Sequence, residues 1–569
     1  MNLKENISIE LFKAIDSKEF SKEKIQELIE VPPSRELGDY SFPCFKLSKE
    51  IKKNPQEIAL DLKQKIDSKK ILLIEKMETK GPYLNFFLNY SFIANKLIPE
   101  VLKQKQKFGS NLSGKKKKVM VEYSSPNTNK PLHIGHLRND SIGMSLSNLF
   151  EANGFKTVKA ILINDRGVHI SKSMLAYQKF GKNKTPNKKS DHFVGDYYVL
   201  FNQKAKENPE LEKDALDLLS KWEKKDKKTL ALWKKMNSWA IKGLFQTYKK
   251  FGSEFDVIYK ESNFVGKGKK IIESGLKKKF FVKDKEDNIV VDLEKFDLGK
   301  KVVLRADGTS IYLTNDLVLS AEKFSQFNLE KNVWVVGSEQ NFYFKQLFKT
   351  LELLGYSWVS KCLHYSYGMV YLPEGKMKSR EGKVVDADDL IEEVIQMAKK
   401  ELLKRNSELK EKELNNRAEI IGLGAIKFFL LKTDAVKDIY FNPEESISFE
   451  GETSAFIQYA YARCKSILRK AKNPEKFSFN ELTIEEENLI SLLSLFPEKV
   501  SSSFVQLSPH VLCHYLLELT SVFNVFYQKC GVLTQEKNLM NSRLALVEST
   551  SIVLSHGLNL LGIKVLDEM

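Results

Sequence analysis

The sequence is poor in cysteine and carries no cysteine motif. Its five cysteines lie far apart along 569 residues, and none belongs to a C-x-x-C pair. This spacing excludes a cysteine zinc ribbon and a disulfide framework, and it is typical of a reducing compartment. We therefore expect no structural metal. Glycine and proline, with 28 and 15 residues, are too few for a collagen-like or low-complexity chain.

Long apolar runs are also missing. The most apolar stretch, residues 420–431, is interrupted by Lys427 and is well short of the ~20 residues of a membrane-spanning helix. The first residues do not have the pattern of a signal peptide. The sequence therefore predicts a cytoplasmic protein with no membrane partner.

Acidic residues are outnumbered by basic ones. The chain has 91 lysine and arginine residues against 74 aspartate and glutamate residues, a net charge of +17. Such an excess favours a polyanionic partner, although a lysine-rich surface alone would also produce it. The length of 569 residues leaves room for three to four domains of about 150 residues each.

The chain divides into four zones. Residues 1–112 mix amphipathic helical patterns with a strand-like run, Tyr83–Leu88, and end at a glycine-, serine- and then lysine-rich boundary. Residues 113–395 begin with a strand, a helix and a second strand, which is the start of a parallel sheet. Residues 396–450 form a connecting stem, and residues 451–569 show helical periodicity.

These patterns predict an α/β fold class with flanking domains. We expect a Rossmann-like parallel-sheet domain with insertions, an N-terminal α+β domain and a C-terminal all-α helical bundle. Strand signals at residues 301–304 and 332–336 follow a lysine-rich helical stretch, so the main sheet is predicted to resume after an insertion. Pro474 and Pro509 are predicted to separate helices of the bundle.

A histidine pair, His133-Ile-Gly-His136, lies where the first strand of the parallel sheet turns into a helix. Unpaired N–H groups and the dipole at a helix start favour phosphate. Histidines at i and i+3 share one helix face and can donate hydrogen bonds to charge that develops on a phosphate. Gly135 leaves room for a flat base. A metal pair is the alternative, but the turn offers no third strong ligand.

The surrounding stretch identifies a family. Residues 121–138 read V-E-Y-S-S-P-N-T-N-K-P-L-H-I-G-H-L-R. This run resembles the signature of class I aminoacyl-tRNA synthetases, in particular the arginyl-tRNA synthetases. The resemblance implies that ATP, with Mg²⁺, activates arginine to arginyl-adenylate. It further implies transfer to the 3′-terminal adenosine of tRNA(Arg), with activation dependent on bound tRNA.

A second nucleotide loop departs from the family pattern. The stretch Gly375-Lys-Met-Lys-Ser-Arg-Glu-Gly382 resembles the K-M-S-K-S loop, but Ser379 stands where that loop has its second lysine. The resemblance implies that Lys130 compensates, and Lys378 or Arg380 are alternatives. The implied catalytic residues are His133, His136, Lys130 and Lys376. The implied ATP contacts are Gly135, Met377, Lys378, Ser379 and Arg380.

A guanidinium is recognised by carboxylates and neutral acceptors in a fork-shaped arrangement. The resemblance supplies five candidates for arginine binding: Glu122, Asn127, Tyr312, Asp316 and Gln340. We expect Glu122 and Asp316 to be the charge partners of the guanidinium and the α-amino group, in an order that the sequence leaves open. Such a pocket rejects lysine by roughly 10⁴–10⁵, so no editing domain is expected. Asp316 has the alternative of a helix N-cap.

The C-terminal zone resembles the helical anticodon-binding domain of arginyl and a few related synthetases. Tyr459, Tyr461 and Arg463 are candidate tRNA contacts, because aromatic rings stack on bases and arginine binds phosphate. The same residues could also lie partly in a helix core. The N-terminal zone, with Gly38-Asp-Tyr40 and Gly81-Pro-Tyr-Leu-Asn-Phe86, resembles the domain that arginyl enzymes place against the tRNA elbow.

Three alternatives are left open by the sequence. A class I relative for another amino acid is disfavoured by Tyr312, Asp316 and Gln340 together. An RNA-binding paralogue without catalysis has the altered lysine loop as its support. A nucleotidyltransferase that uses no tRNA would not need the large basic helical half. The resemblance also implies a monomer.

Overall fold

The computed structural model describes most of the chain: residues 3–15, 20–66, 71–306, 311–371, 385–471 and 476–569. Some predictions lie outside these described residues. They include the helix break at Pro474 and the lysine loop with Lys376, Met377, Lys378, Ser379 and Arg380.

The N-terminal part is an α+β unit, as predicted. Its antiparallel sheet has the strand order β1–β3–β2, and the predicted run Tyr83–Leu88 is the central strand. The elements are α1 (Leu3–Ala14), α2 (Lys22–Leu28), β1 (Tyr40–Pro43), α3 (Ser48–Ile51), α4 (Pro55–Lys65), β2 (Ile74–Lys80), β3 (Tyr83–Leu88) and α5 (Tyr90–Gln104).

The central part begins with the predicted strand, helix and strand. The crossover after the second strand carries four helices before the chain returns to the sheet. The elements are β4 (Lys118–Glu122), α6 (Ile134–Ala152), β5 (Lys156–Ile163), α7 (Val168–Phe180), α8 (Ser190–Glu207), α9 (Glu210–Glu223), α10 (Lys227–Phe251) and β6 (Val257–Lys260).

A small antiparallel sheet, β7–β8–β9, follows before the main sheet is completed. The elements are α11 (Lys269–Lys277), β7 (Phe281–Lys283), β8 (Ile289–Asp292), β9 (Lys300–Leu304), α12 (Tyr312–Phe327), β10 (Lys331–Gly337), α13 (Asn341–Leu353), β11 (Cys362–Tyr367), β12 (Val370–Tyr371) and α14 (Ala387–Arg405).

The main sheet is parallel throughout, with the order β11–β10–β4–β5–β6 among the described residues. Its strands are apolar because helices cover both faces. Residues 332–336 belong to this sheet, as predicted. Residues 301–304 do not: β9 pairs antiparallel with β8 in the small sheet. A short apolar run fits either sheet, and its strand partner cannot be inferred from periodicity.

The C-terminal part is the predicted helical bundle, and Pro509 is the first residue of one of its helices. The short strand β13 pairs with β12. Within the described ranges, every helix is too short or too polar to cross a lipid bilayer. The elements are α15 (Glu411–Leu431), β13 (Ile439–Tyr440), α16 (Pro443–Ser446), α17 (Ser454–Lys470), α18 (Ile484–Val505), α19 (Pro509–Lys529) and α20 (Lys537–Leu560).

Helix α6 lies against the main sheet and is buried along most of its length. At Gly143 an added Cβ would lie 2.3 Å from Cγ of Tyr123, the residue that follows β4. The helix backbone therefore sits directly on an aromatic ring. Arg138 of the same helix is fully buried, and its guanidinium donates to four carbonyl oxygens of residues 368–369 and 435–437.

We expect Gly143→Ala to lower the melting temperature, because the new methyl group must push α6 away from Tyr123. Overpacking of this kind costs about 1–3 kcal/mol. Gly337→Ala is the matched control, since a Cβ at Gly337 meets no atom within 4 Å. Differential scanning calorimetry of both variants makes the comparison, and equal melting temperatures would contradict the packing described for Gly143.

Candidate active site

The turn after β4 ends in a helix cap built from two histidines. His133 is the N-cap of α6: its Nδ1 accepts a hydrogen bond from the Gly135 N–H at 3.2 Å. Nδ1 of His136 accepts from the His133 N–H at 3.1 Å. Since both Nδ1 atoms accept, each ring carries its proton on Nε2 when neutral. Both Nε2 atoms are thereby defined as donors at the start of the helix.

The two imidazoles are neutral near pH 7. Burial lowers the pKa of His133 to about 4, with a further contribution from the charge of Lys130. Burial holds the pKa of His136 well below its ordinary value. Burial also lowers the pKa of Lys130. The turn that carries Lys130, His133 and His136, here called the histidine turn, therefore offers neutral hydrogen-bond donors. The lysine lies three residues upstream of His133.

Glycine at position 135 keeps this cap tight. An added Cβ would lie 3.0 Å from Cε1 and Nδ1 of the His133 ring. The rings of His133 and His136 also lie close together, with centroids 3.9 Å apart. The sequence predicts that Gly135 leaves room for a base. In the structure its lack of a side chain leaves room for the capping imidazole of His133.

A cavity of about 590 Å³ opens beside the carboxyl ends of β4 and β10. Ligands of open parallel sheets bind at this edge. All five residues predicted from the resemblance to bind arginine line it: Glu122, Asn127, Tyr312, Asp316 and Gln340. They come from the end of β4, the turn after it, helix α12 and the segment after β10.

Glu122 is held by a cation that the sequence reasoning missed. The ammonium of Lys323 lies 2.5 Å from Oε2 of Glu122, and both side chains are almost completely buried. The same ammonium lies 5.0 Å from the ring centroid of Trp334 and 5.6 Å from that of Tyr259. Lys323 also lines the cavity. It lies seven residues after Asp316, two turns along the same face of α12, and that helical spacing is the signal that could have found it.

Asp316 lies in the second turn of α12, five residues after the N-cap residue Ile311, so the alternative of a helix N-cap is wrong. Its carboxylate accepts a hydrogen bond from the Tyr343 hydroxyl. Burial raises the pKa of Asp316 to about 6. The group is therefore an anion at neutral pH that protonates under mildly acidic conditions.

A third carboxylate stands next to Asp316. Glu261 is 5% exposed, and its Oε2 has no hydrogen-bond partner among the described residues. Burial raises its pKa to about 7, with opposing effects of Arg166 and Asp316 nearby. The sequence gives no motif for Glu261. Its partners come from segments about 50 to 100 residues away along the chain, so only the fold brings it to the site.

One acidic cluster is close enough to share a metal ion in the described part of the chain: Asp191, His192 and Asp388. The ammonium of Lys189 lies 2.8 Å from Asp191 and 2.6 Å from Asp388. This ammonium already pairs with both carboxylates, and Nε2 of His192 lies 2.8 Å from Asp388, so the cluster is a hydrogen-bonded network rather than an empty ligand set.

The candidate tRNA contacts separate into two kinds. Tyr461 is 8% exposed, and its hydroxyl donates to Asp567 at 2.7 Å, so it lies in the bundle core. Tyr459 and Arg463 are only partly buried. The Arg463 guanidinium lies 4.9 Å from the Tyr459 ring and 4.8 Å from the Tyr527 ring. Of the predicted three residues, Tyr459 and Arg463 remain at an accessible surface.

Comparison with known families assigns three segments of the chain. Residues 1–88 match the arginyl-tRNA synthetase N-terminal domain. Residues 97–443 match the catalytic domain of the class I (R) tRNA synthetases. Residues 457–569 match the DALR anticodon-binding domain.

Individual relatives match over almost the full chain. The arginine–tRNA ligase of Treponema denticola is 44% identical over 95% of this chain and 94% of its own. That of Borrelia hermsii is 42% identical, with 96% and 95% covered. The solved arginyl-tRNA synthetase of Thermus thermophilus superposes with a TM-score of 0.83 at 27% identity, covering 100% of both chains. The chain therefore belongs to the arginyl-tRNA synthetase family.

Proposed function

We propose that this chain is an arginine–tRNA ligase that uses ATP with Mg²⁺. The observation that carries the proposal is the cavity at the carboxyl ends of β4 and β10. Its lining includes two carboxylates, two phenols and three amides, and it opens at the end of β4 from which the chain runs into the helix start that suits phosphate. A guanidinium and an α-ammonium fit carboxylates, and a nucleotide phosphate fits the neighbouring N–H donors.

The reaction has two steps. A carboxylate oxygen of arginine attacks the α-phosphorus of ATP, the bond to the bridging oxygen breaks, and pyrophosphate leaves. A ribose hydroxyl of the tRNA terminal adenosine then attacks the arginyl carbonyl carbon, and AMP leaves. Neutral His133 and His136 donate from Nε2 to phosphate oxygens, and Lys130 adds positive charge. Catalysis consists of positioning and electrostatic stabilisation, without a protein nucleophile.

Arginine recognition is assigned to the carboxylates according to their surroundings. Asp316, with Tyr312 beside it and Glu261 behind, forms the anionic end that receives the guanidinium. Glu122 is already paired with Lys323 through Oε2, so Oε1 is the oxygen left for the α-ammonium. Asn127 and Gln340 supply neutral polar contacts at the rim. This arrangement places the fork-shaped group against the buried carboxylate of Asp316, with the carboxylate of Glu261 close to it.

The tRNA side of the proposal rests on charge and on the bundle. A net charge of +17 suits a polyanion, and Tyr459 with Arg463 offers a stacking and phosphate-binding surface. We place the domains at residues 1–112, 113–395, 396–450 and 451–569. The proposal includes activation that depends on bound tRNA, the compensating role of Lys130, Lys376 and its loop at the ATP phosphates, a cytoplasmic location and a monomeric enzyme.

Arginine-dependent ATP–pyrophosphate exchange tests the function. We expect exchange with arginine, none with lysine or glutamine, and a requirement for cognate tRNA. Exchange without tRNA would overturn the tRNA dependence alone. Binding of tRNA without any exchange or arginylation would favour the RNA-binding paralogue instead.

We expect His136→Ala to slow adenylate formation by at least about 10²-fold, the effect of removing one transition-state donor. The exchange rate at saturating arginine, ATP and tRNA measures it. His514→Ala is the control, since His514 is exposed on α19 in the C-terminal bundle. An unimpaired His136 variant would remove this residue from the proposed mechanism.

The KM for arginine should rise as the pH falls. The pKa of Glu261 is about 7 and that of Asp316 about 6, so acidification neutralises first Glu261 and then Asp316, the carboxylate assigned to the guanidinium. Below pH 6 Glu261 is already largely protonated, so the titration of Asp316 alone should raise KM by up to about tenfold per pH unit. Asp316→Asn should raise KM at neutral pH and remove the lower transition. The KM for ATP, measured alongside, should not follow the same curve; a parallel change would contradict the assignment.

A further inference from the structure

Helix α8 starts in the crossover between β5 and β6, far along the chain from the histidine turn. Its first residues read S-D-H-F-V-G-D-Y-Y, a stretch to which the proposed reaction assigns no chemistry. Two sets of contacts nevertheless connect this helix to the histidine turn, one directly at Lys130 and Pro131 and one through the start of α14, which pairs with the backbone around His133. The contacts are made by Gly195 and by His192.

Gly195 brings the backbone of α8 directly against the turn before the histidines. An added Cβ at this position would lie 2.9 Å from Cδ of Pro131 and 3.6 Å from Cα of Lys130. Glycine inside a helix costs about 1 kcal/mol relative to alanine. Glycine at position 195 therefore destabilises the helix slightly, but a methyl group there would displace the segment that carries Lys130.

His192 contacts the start of α14, which lies against the other side of the histidine turn. The histidine turn and residues 385–387 pair through their backbones: the Ile134 N–H donates to the Val385 carbonyl at 3.1 Å, and the Ala387 N–H donates to the Leu132 carbonyl at 3.0 Å. His133 lies between these two hydrogen bonds. Whatever fixes the start of α14 therefore fixes the backbone around His133.

The start of α14 is fixed by side chains of the crossover. Nε2 of His192 lies 2.8 Å from Oδ2 of Asp388 and 3.7 Å from Oδ2 of Asp386. Lys189 donates to the same Asp388 oxygen at 2.6 Å, and the Thr247 hydroxyl of α10 donates to Oδ1 at 3.0 Å. The hydrogen bond to Asp388 raises the pKa of His192. Asp388 thus has three side-chain partners: the N-cap residue of α8, a residue in its first turn and one residue of α10.

We propose that α8 is the positioning element of the nucleotide site. Gly195 sets the distance of Lys130 from the crossover, and His192 fixes the backbone at His133 through Asp388. Both are positioning residues, since neither belongs to the group assigned to touch substrate. The inference rests on the proposed function and deepens it by giving the crossover a role in phosphate activation.

Displacement by about 1 Å of a catalytic group can cost about 10²-fold in rate. We therefore expect Gly195→Ala to lower kcat of ATP–pyrophosphate exchange at least about tenfold, with little change in KM for arginine. Asp196→Asn is the neighbouring control, because among the described residues the side chain of Asp196 pairs at the surface with Lys188 alone. Its kcat should match that of the wild type.

A pair of substitutions at His192 tests the second contact. His192→Leu removes the donor to Asp388, and we expect a fall in kcat of about tenfold or more. His192→Gln retains a donor, and kcat should stay within about threefold of the wild type. Melting temperatures are measured for every variant.

The outcomes separate positioning from a purely structural role. A lower melting temperature with unchanged kcat, or a glutamine variant as slow as the leucine variant, would overturn the inference. So would a Gly195→Ala enzyme with wild-type kcat. Absence of exchange in the wild-type protein would overturn the proposed function itself, which distinguishes the two failures.

Discussion

The position of helix α6, which begins at the histidine turn, depends on the four hydrogen bonds that the buried guanidinium of Arg138 donates. This guanidinium donates to the carbonyls of Gly368 and Met369, which follow β11, and to those of Ala435 and Lys437, which precede β13. Charge-assisted hydrogen bonds contribute about 1.5–3 kcal/mol each. Because Arg138 is in the first turns of α6, the helix that begins at His133 also anchors the connection to the helical half of the protein.

Burial favours the neutral form of the ionisable groups in both halves of the site, but it shifts their pKa values in opposite directions. At the histidine turn it removes charge, so that the imidazoles act as neutral donors. In the neighbouring cavity it raises the pKa values of Asp316 and Glu261, and these anions gain from pairing with a cationic ligand. Lys323 compensates the remaining carboxylate of Glu122. The low dielectric that makes an unpaired group costly thereby strengthens each interaction with the correct ligand.

The parts of the structure that the sequence predicted are local. The helix start at the histidine pair, strands β4 and β5 and the helical C-terminal half all follow from patterns within a few dozen residues. The parts that it missed depend on long-range pairing. Lys323 pairs with Glu122, which is 201 residues away along the chain. Strand β9 belongs to the small sheet because it pairs with β8 rather than with a strand of the main sheet. The sequence left open whether Tyr461 lies at the surface or in the core, and in the structure its hydroxyl donates to Asp567.

The crossover between β5 and β6 differs along its length in how well it can tolerate inserted or deleted residues. Its four helices differ in what they touch: α8 contacts Pro131 and Asp388, whereas the α9–α10 turn, residues 224–226, is exposed. Exposed turns are where changes of length are tolerated best, although Glu223 just before this one pairs with Arg166 at 2.8 Å. Helix α8 has no such freedom. If α8 has the positioning role proposed above, a version of the chain trimmed to its parallel sheet would need another support for the turn that carries Lys130 and His133.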